Sequence, residues 1–172
     1  TPTIWGDPER YANEYWRRIP GVYYTGDSGA IDEDGYVWFS GRADEIIKIA
    51  GHRIGTAEVE SAFLRHPAVA EAGVTGRPDP VRGEVISAFI ALKPGWQPSE
   101  LLKSELIGTV RQELGPVAVI GELNFVSMLP KTRSGKIMRR VFRAVILNQD
   151  PGDVSTIEDE ASVEEARAAW RR

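Results

Sequence analysis

Glu84-Val85-Ile86-Ser87-Ala88-Phe89-Ile90-Ala91-Leu92 is the stretch on which the fold turns. Ile86, Ala88, Ile90 and Leu92 recur at every second position, so an extended chain carries them on one side. A similar run over 69–76 lies before it, across a turn rich in proline, glycine and charge, and the two predict a half-buried antiparallel sheet. Downstream, Leu102, Leu106, Val110 and Leu114 recur every four positions after Ser99, which predicts a core-facing helix that Gly115-Pro116 ends. A short strand is expected over 123–129. Upstream, residues 46–54 read as an extended pair broken by Gly51. Thr56 then reads as the cap of a helix with Val59, Ala62 and Phe63 on one face, stopped by His66-Pro67. Asp7-Pro8 open a first helix striped by Tyr11, Tyr15 and Trp16, and residues 28–41 form a hairpin around Asp32-Glu33-Asp34-Gly35. The expected fold is α/β (α+β): a small three-stranded antiparallel sheet with helices packed on it, preceded by a helix and a β-hairpin.

The 172 residues suit one domain and a fraction, and 42% apolar residues suffice for an ordinary core. The balance of 21 basic and 25 acidic residues gives a net charge of −4, which argues against nucleic acid as a partner. No cysteine is present, so disulfide frameworks and thiolate metal sites are excluded. The longest apolar runs fall short of the ~18 residues a spanning helix needs, so no membrane association and a cytoplasmic location are expected. The chain opens on Thr1-Pro2 without an initiator methionine and enters patterned sequence at once, which suggests a piece of a longer protein. Residues 150–165 hold seven acids and no base, a composition that predicts a loose tail.

Charge is concentrated in Pro130-Lys131-Thr132-Arg133-Ser134-Gly135-Lys136 and the helix expected after it. Lys131, Arg133, Lys136, Arg139, Arg140 and Arg143 place six cations in thirteen residues without an acid. A solvated basic face is one reading of such a run. An anion site is the other, since hydrogen bonds from charged donors to phosphate or carboxylate oxygens are the strong ones. A nucleotide P-loop is excluded: it needs a glycine five positions before its Gly-Lys pair and Ser or Thr after it, where Pro130 and Ile137 stand.

Three further motifs stand at bends: Tyr24-Thr25-Gly26-Asp27, Gly41-Arg42-Ala43-Asp44 and Gly51-His52-Arg53. Each alone is what a hairpin end needs. With the lysine loop they suggest a nucleotide, because aspartate accepts from ribose hydroxyls, arginine matches phosphate oxygens, and lysine neutralises charge developing between a carboxylate and phosphorus.

The order YYTGD, GRADEIIKIAGHRIGTAEVE and PKTRSGKIMRR resembles the C-terminal portion of the acyl-adenylate-forming enzymes, a superfamily of acyl-CoA synthetases, firefly luciferase and peptide-synthetase adenylation domains. GDPERY, IPGVYYTGD, RQELGP and GDVSTIED are most similar to the AMP-forming acetyl-CoA synthetases within it. The resemblance implies an ATP-dependent acetate–CoA ligase that forms acetyl-adenylate and then acetyl-CoA, with ATP/AMP, CoA and Mg as cofactors and acetate or another short acyl group as substrate. It implies that residues 1–43 end a large adenylate-forming domain, that 44–149 are a mobile small domain, and that 150–172 are an acidic tail. It further implies that Asp27 holds the adenylate ribose, that Arg42 and Arg53 meet the nucleotide, and that Asp44 is the hinge. Ala50 and Gly51 would pass the pantetheine arm of CoA, and Arg111 would bind its nucleotide phosphate. Lys136 would be the adenylation lysine, with an acetyltransferase and a deacetylase as partners that silence and restore it. His66 would hold magnesium with backbone carbonyls at Leu64 and Val69; a helix-terminal histidine before proline is the other reading, since magnesium prefers oxygen. His52 reads as a packing or hinge-loop residue. The glycine- and serine-rich phosphate loop and the acyl pocket have no counterpart in these residues, so the chain alone is expected not to turn over. A propionyl-CoA or other short-chain synthetase, and a non-catalytic α/β module docking RNA or an acidic partner through the lysine loop, are the alternatives.

Overall fold

The computed structural model describes residues 2–171 and divides at the bond after Asp44 into two compact units, Thr1–Asp44 and Glu45–Arg172. In the first unit, Asp7 caps a single α-turn, α1 (Pro8–Tyr11), its carboxylate accepting from the Arg10 amide at 3.0 Å. The expected longer helix instead widens into a π-helical turn, Ala12–Trp16. That turn serves the aromatics: Tyr15 stacks on Tyr23 at 5.3 Å, and Trp16 meets Tyr23 edge-on at 5.2 Å. The hairpin then pairs β1 (Asp27–Ile31) with β2 (Val37–Arg42). Its turn is organised by Asp32, whose carboxylate accepts from the Asp34 and Tyr36 amides and from Trp38 Nε1 at 2.6 Å. Ile31, Tyr36, Val37, Trp38 and Phe39 remain exposed.

The second unit carries the α/β fold, with a larger sheet than expected. Five strands take part: β3 (Ile46–Ile49), β4 (His52–Gly55), β5 (Val69–Asp79), β6 (Gly83–Leu92) and β7 (Ile120–Val126). They run in the order β4-β3-β6-β5, and β7 also pairs with β6. The β3–β4 pair joins the sheet through Ile49 opposite Gly83. β7 runs parallel to β6, because the connection passes through a whole helix, so the sheet is mixed.

The strand β6 is also not half-buried: every residue from Val85 to Ala91 is buried. One face, with Ile86, Ala88 and Ile90, packs on α2 (Thr56–Leu64) and α3 (Glu100–Leu114) through Val59, Phe63, Leu102, Leu106 and Val110. The opposite face carries Phe89, stacked on Phe142 at 4.3 Å, under α4 (Arg139–Ile146) and α5 (Ala161–Trp170). Small residues alternating with large ones, Ser87 and Ala91 with Phe89, hid this second buried face from the periodicity.

Two local expectations are corrected. Thr56 is the first helical residue and is buried; Gly55, with extended backbone, is the N-cap and supplies no side-chain bond. Ser99 caps α3, accepting from Leu102 N at 3.1 Å, and Gly115 ends it as expected, at φ 80°. The acidic C-terminal residues are not a loose tail: α5 buries Val163, Ala166 and Ala169, and Trp170 lies over the Arg77 guanidinium at 5.8 Å. Composition weighed the acids and missed that these apolar residues lie three apart, on one helix face.

Candidate functional site: a guanidinium hub, a left-handed turn and a lysine loop

Within the first unit, Arg42 gathers the expected nucleotide residues. It leaves β2 and donates through Nη1 to the Thr25 carbonyl at 2.9 Å and to Asp27 Oδ1 at 3.4 Å. Its Nε and Nη2 form a fork on both oxygens of Asp44, at 3.1 and 3.3 Å. Gly26 is required beside it: at φ +77°, a Cβ there would stand 2.8 Å from Arg42 Nη2. Burial tends to raise the Asp44 carboxyl, but the hydrogen bonds from Arg42, with its charge, outweigh this and hold it below its ordinary value. Arg42 is correspondingly raised, first through its hydrogen bond to Asp44. A cleft of about 190 Å³ opens over this group, walled by Arg10, Arg18, Tyr24, Arg42 and Asp44. The walls combine the cations of Arg10, Arg18 and Arg42 with the carboxylates of Glu14 and Asp44, and Asp27 joins the group through Arg42 rather than by lining the cleft.

In the second unit, Ala50 and Gly51 form the tight turn between β3 and β4, both left-handed at φ 48° and 87°. Paired positive φ values are what a two-residue hairpin demands. The Ala50 amide donates to the Arg82 carbonyl at 2.8 Å, which fixes the turn, while a side chain built on Gly51 would meet no atom within 4 Å. The turn therefore presents bare backbone to its surroundings. Arg53 and His52 follow on β4, both exposed, with Arg53 in register opposite Lys48.

The lysine loop is closed at its base by a bridge between Lys131 and Ile137 and by Met138 N donating to Pro130 O at 2.8 Å. Inside it, Lys136 O accepts from Thr132 N at 2.9 Å, and Thr132 Oγ1 accepts from Lys136 N at 3.1 Å. Lys136 itself is exposed and forms no ion pair among the described residues. It stands three residues ahead of α4, as the expected loop-then-helix order requires. Its neighbours in the basic run are engaged elsewhere. Lys131 pairs with Glu71 at 2.8 Å, and Arg139 with Glu60 and Glu45 at 2.6 and 2.7 Å. The basic run is thus neither a uniform solvated face nor a uniform anion site.

Arg111 lies exposed on the last turn of α3. No hydrogen bond or ion pair joins Arg53, Arg111 and Lys136 to one another among the described residues. His66 follows α2, where its Nδ1 accepts from the Ala68 amide at 3.2 Å. Its Nε2 lies 3.8 Å from Glu105 Oε2, and its ring meets Trp96 edge-on. One imidazole nitrogen is thereby consumed by the backbone, and the Val69 amide donates back to the His66 carbonyl. His66 thus closes the turn after α2, and the carbonyls of Leu64 and Val69 are neutral oxygens that bring no carboxylate charge to balance a magnesium ion.

Sequence reading missed the anchor beneath the loop. Glu60 is a buried carboxylate on α2 that accepts from Val74 N at 3.0 Å as well as from two nitrogens of Arg139. These bonds, Glu60 first, hold the Arg139 guanidinium above its ordinary value. An acid beside Val59 on an otherwise apolar face was the available signal.

Residues 58–136, ending on the exposed lysine, match the family model of the AMP-binding enzyme C-terminal domain. Across almost its full length it is similar to the acetyl-coenzyme A synthetase of Pyrobaculum arsenaticum, 58% identical over 167 residues, 97% of this chain and 25% of the relative. The 3-hydroxypropionyl-coenzyme A synthetase of Sulfurisphaera tokodaii is 54% identical over 168 residues, 96% of this chain and 25% of that protein. In three dimensions the acetoacetyl-CoA synthetase from Streptomyces lividans superposes with a TM-score of 0.84 at 25% identity, over 98% of this chain and 26% of that one. The chain spans about a quarter of the length of the curated relatives it matches.

Proposed function

We propose that this chain is the C-terminal part of an ATP-dependent, AMP-forming acetate–CoA ligase. The observation that carries the reading is Lys136: an exposed ammonium without an ion pair among the described residues, on a loop closed at its base, inside the segment that matches the AMP-binding C-terminal domain. Its role is to neutralise charge as the carboxylate attacks the α-phosphorus of ATP and pyrophosphate leaves. That task requires positioned charge and no covalent enzyme intermediate. Asp27 takes the ribose hydroxyls, and Arg42 and Arg53 meet the nucleotide. Residues 1–43 end the large domain and 44–149 form the mobile one, with Asp44 as the hinge whose fork to Arg42 is made or broken as it turns. The bare backbone of Ala50 and Gly51 passes the pantetheine arm of CoA, and Arg111 takes its phosphate. Magnesium enters with ATP as part of the substrate. The exposure of Lys136 also leaves it open to an acetyltransferase and a deacetylase, whose acetyl group would remove the charge the step uses. No helix among the described residues is long and apolar enough to cross a membrane, and a cytoplasmic location is part of the proposal.

The test is made in the full-length protein that contains this chain. Lys136→Ala should lower carboxylate-dependent ATP–pyrophosphate exchange by about two to three orders of magnitude, as loss of a transition-state charge partner does. CoA should still react with supplied acetyl-adenylate at the wild-type rate. Equal loss of both half-reactions would refute the division of labour. Exchange with acetate, propionate and 3-hydroxypropionate compared side by side decides the acyl group, which the relatives' two names leave to experiment.

A further inference from the structure

The acidic segment expected to be loose runs instead along the edge of the lysine loop. Thr132 forms a bridge with Ile157, Arg133 N donates to Thr156 O at 3.2 Å, and Glu158 N donates to Lys131 O at 2.8 Å. These bonds are made by backbone, so they constrain the path of residues 131–133 whatever their side chains do. Ile157 is the plug of this edge: it is buried with Met138, Val141 and Val163, between the start of α4 and α5. Both flanks of the segment are tied down. Ahead of it, Arg140 donates to the carbonyls of Pro151 and Asp153. Behind it, Glu165 on α5 accepts from Ser127 N, and from Ser127 Oγ at 2.7 Å. The segment itself, with Arg140 and α5, lies beyond residue 136, where the match to the domain family stops.

We propose that residues 154–158 are a strap that positions Lys136. The strap holds Thr132, and Thr132 holds Lys136 at both its amide and its carbonyl, so the lysine is carried at a fixed point of a stiffened loop. Ile157 and Thr132 are positioning residues in this arrangement; neither touches the reacting atoms. The proposal rests on the reading of Lys136 as the adenylation lysine.

The experiment uses the full-length protein with Ile157→Asp, Ile157→Val, Thr132→Val and Thr132→Ser. Ile157→Asp and Thr132→Val should lower kcat for ATP–pyrophosphate exchange between about tenfold and a hundredfold, the cost of a displaced catalytic group, with KM for ATP and the rate of CoA with supplied acyl-adenylate unchanged. Ile157→Val and Thr132→Ser, which keep the plug and the hydroxyl, should restore exchange. In parallel, the amides of Thr132, Arg133 and Glu158 should lose hydrogen-exchange protection in Ile157→Asp while those of Ile86–Ile90 keep theirs. Undiminished protection at those three amides overturns the strap, as does a fall of both half-reactions together in Thr132→Val. A wild-type protein without exchange activity would refute the functional reading, and the amide protection would still decide whether the strap orders the loop.

Discussion

Arg42 concentrates three tasks in one side chain: it closes the Thr25 carbonyl, faces Asp27 and forks onto Asp44. The fork has a pH signature. Asp44 in the folded chain lies below its ordinary value of 3.8, so its contribution to stability is complete above the unfolded-state value and is lost as pH falls through the lower, folded one. A carboxyl-carbon NMR titration should place Asp44 below 3.8, and Arg42→Lys, which keeps the charge and removes the fork, should move it upward. A titration unaffected by Arg42→Lys would mean that the fork does not set the Asp44 charge. The aspartates and the arginine stood out in the sequence only together with the lysine loop, because each motif alone is what a hairpin end needs. Their mutual contact was not legible there, since β1 and β2 have to pair before residues 27 and 42 become neighbours.

At the scale of the element, β5 and α4 meet with no tolerance. A Cβ on Gly73 would stand 2.4 Å from Phe142 Cε2, in a fully buried layer where Phe142 also stacks on Phe89. Gly73→Ala should therefore cost about 1–3 kcal/mol in urea denaturation, the range for overpacking a dense core. Phe142→Leu in the same chain should relieve part of it; strictly additive costs would show that the two residues do not share the space. The strands around Gly73 were readable from alternation and from the Pro/Gly turn, and α3 from its four-residue period. The parallel strand β7 was readable as a strand but not as the fifth in a mixed sheet, because nothing in Ile120–Val126 encodes which edge it joins. Likewise α5 was hidden by its charge: seven acids dominate the composition of residues 150–165, whereas three small apolar residues decide the packing.

For the whole molecule, burial is divided unequally. Among the described residues, the buried apolar side chains begin at Ile47, and the unit ending at Asp44 contributes none. Its aromatics stack on one another, yet Trp38 and Phe39 stay more than half exposed, at 63% and 70%. A two-stranded hairpin without a core is marginal in water. Residues 45–172 expressed alone should thus unfold cooperatively with a midpoint shifted by less than the ~2–4 °C that one kcal/mol would produce. Residues 1–44 alone should show no dispersed amide spectrum. Loss of cooperative unfolding in the longer piece would mean that the first unit is part of its core.

The strap carries a last consequence, for the birth of the protein. Ile157 follows Lys136 by about twenty residues, so at ordinary synthesis rates the lysine is made roughly one to four seconds before its plug exists. Residues 131–133 cannot gain the strand at their edge until the C-terminal segment has left the ribosome, so the loop is completed only after synthesis has passed it.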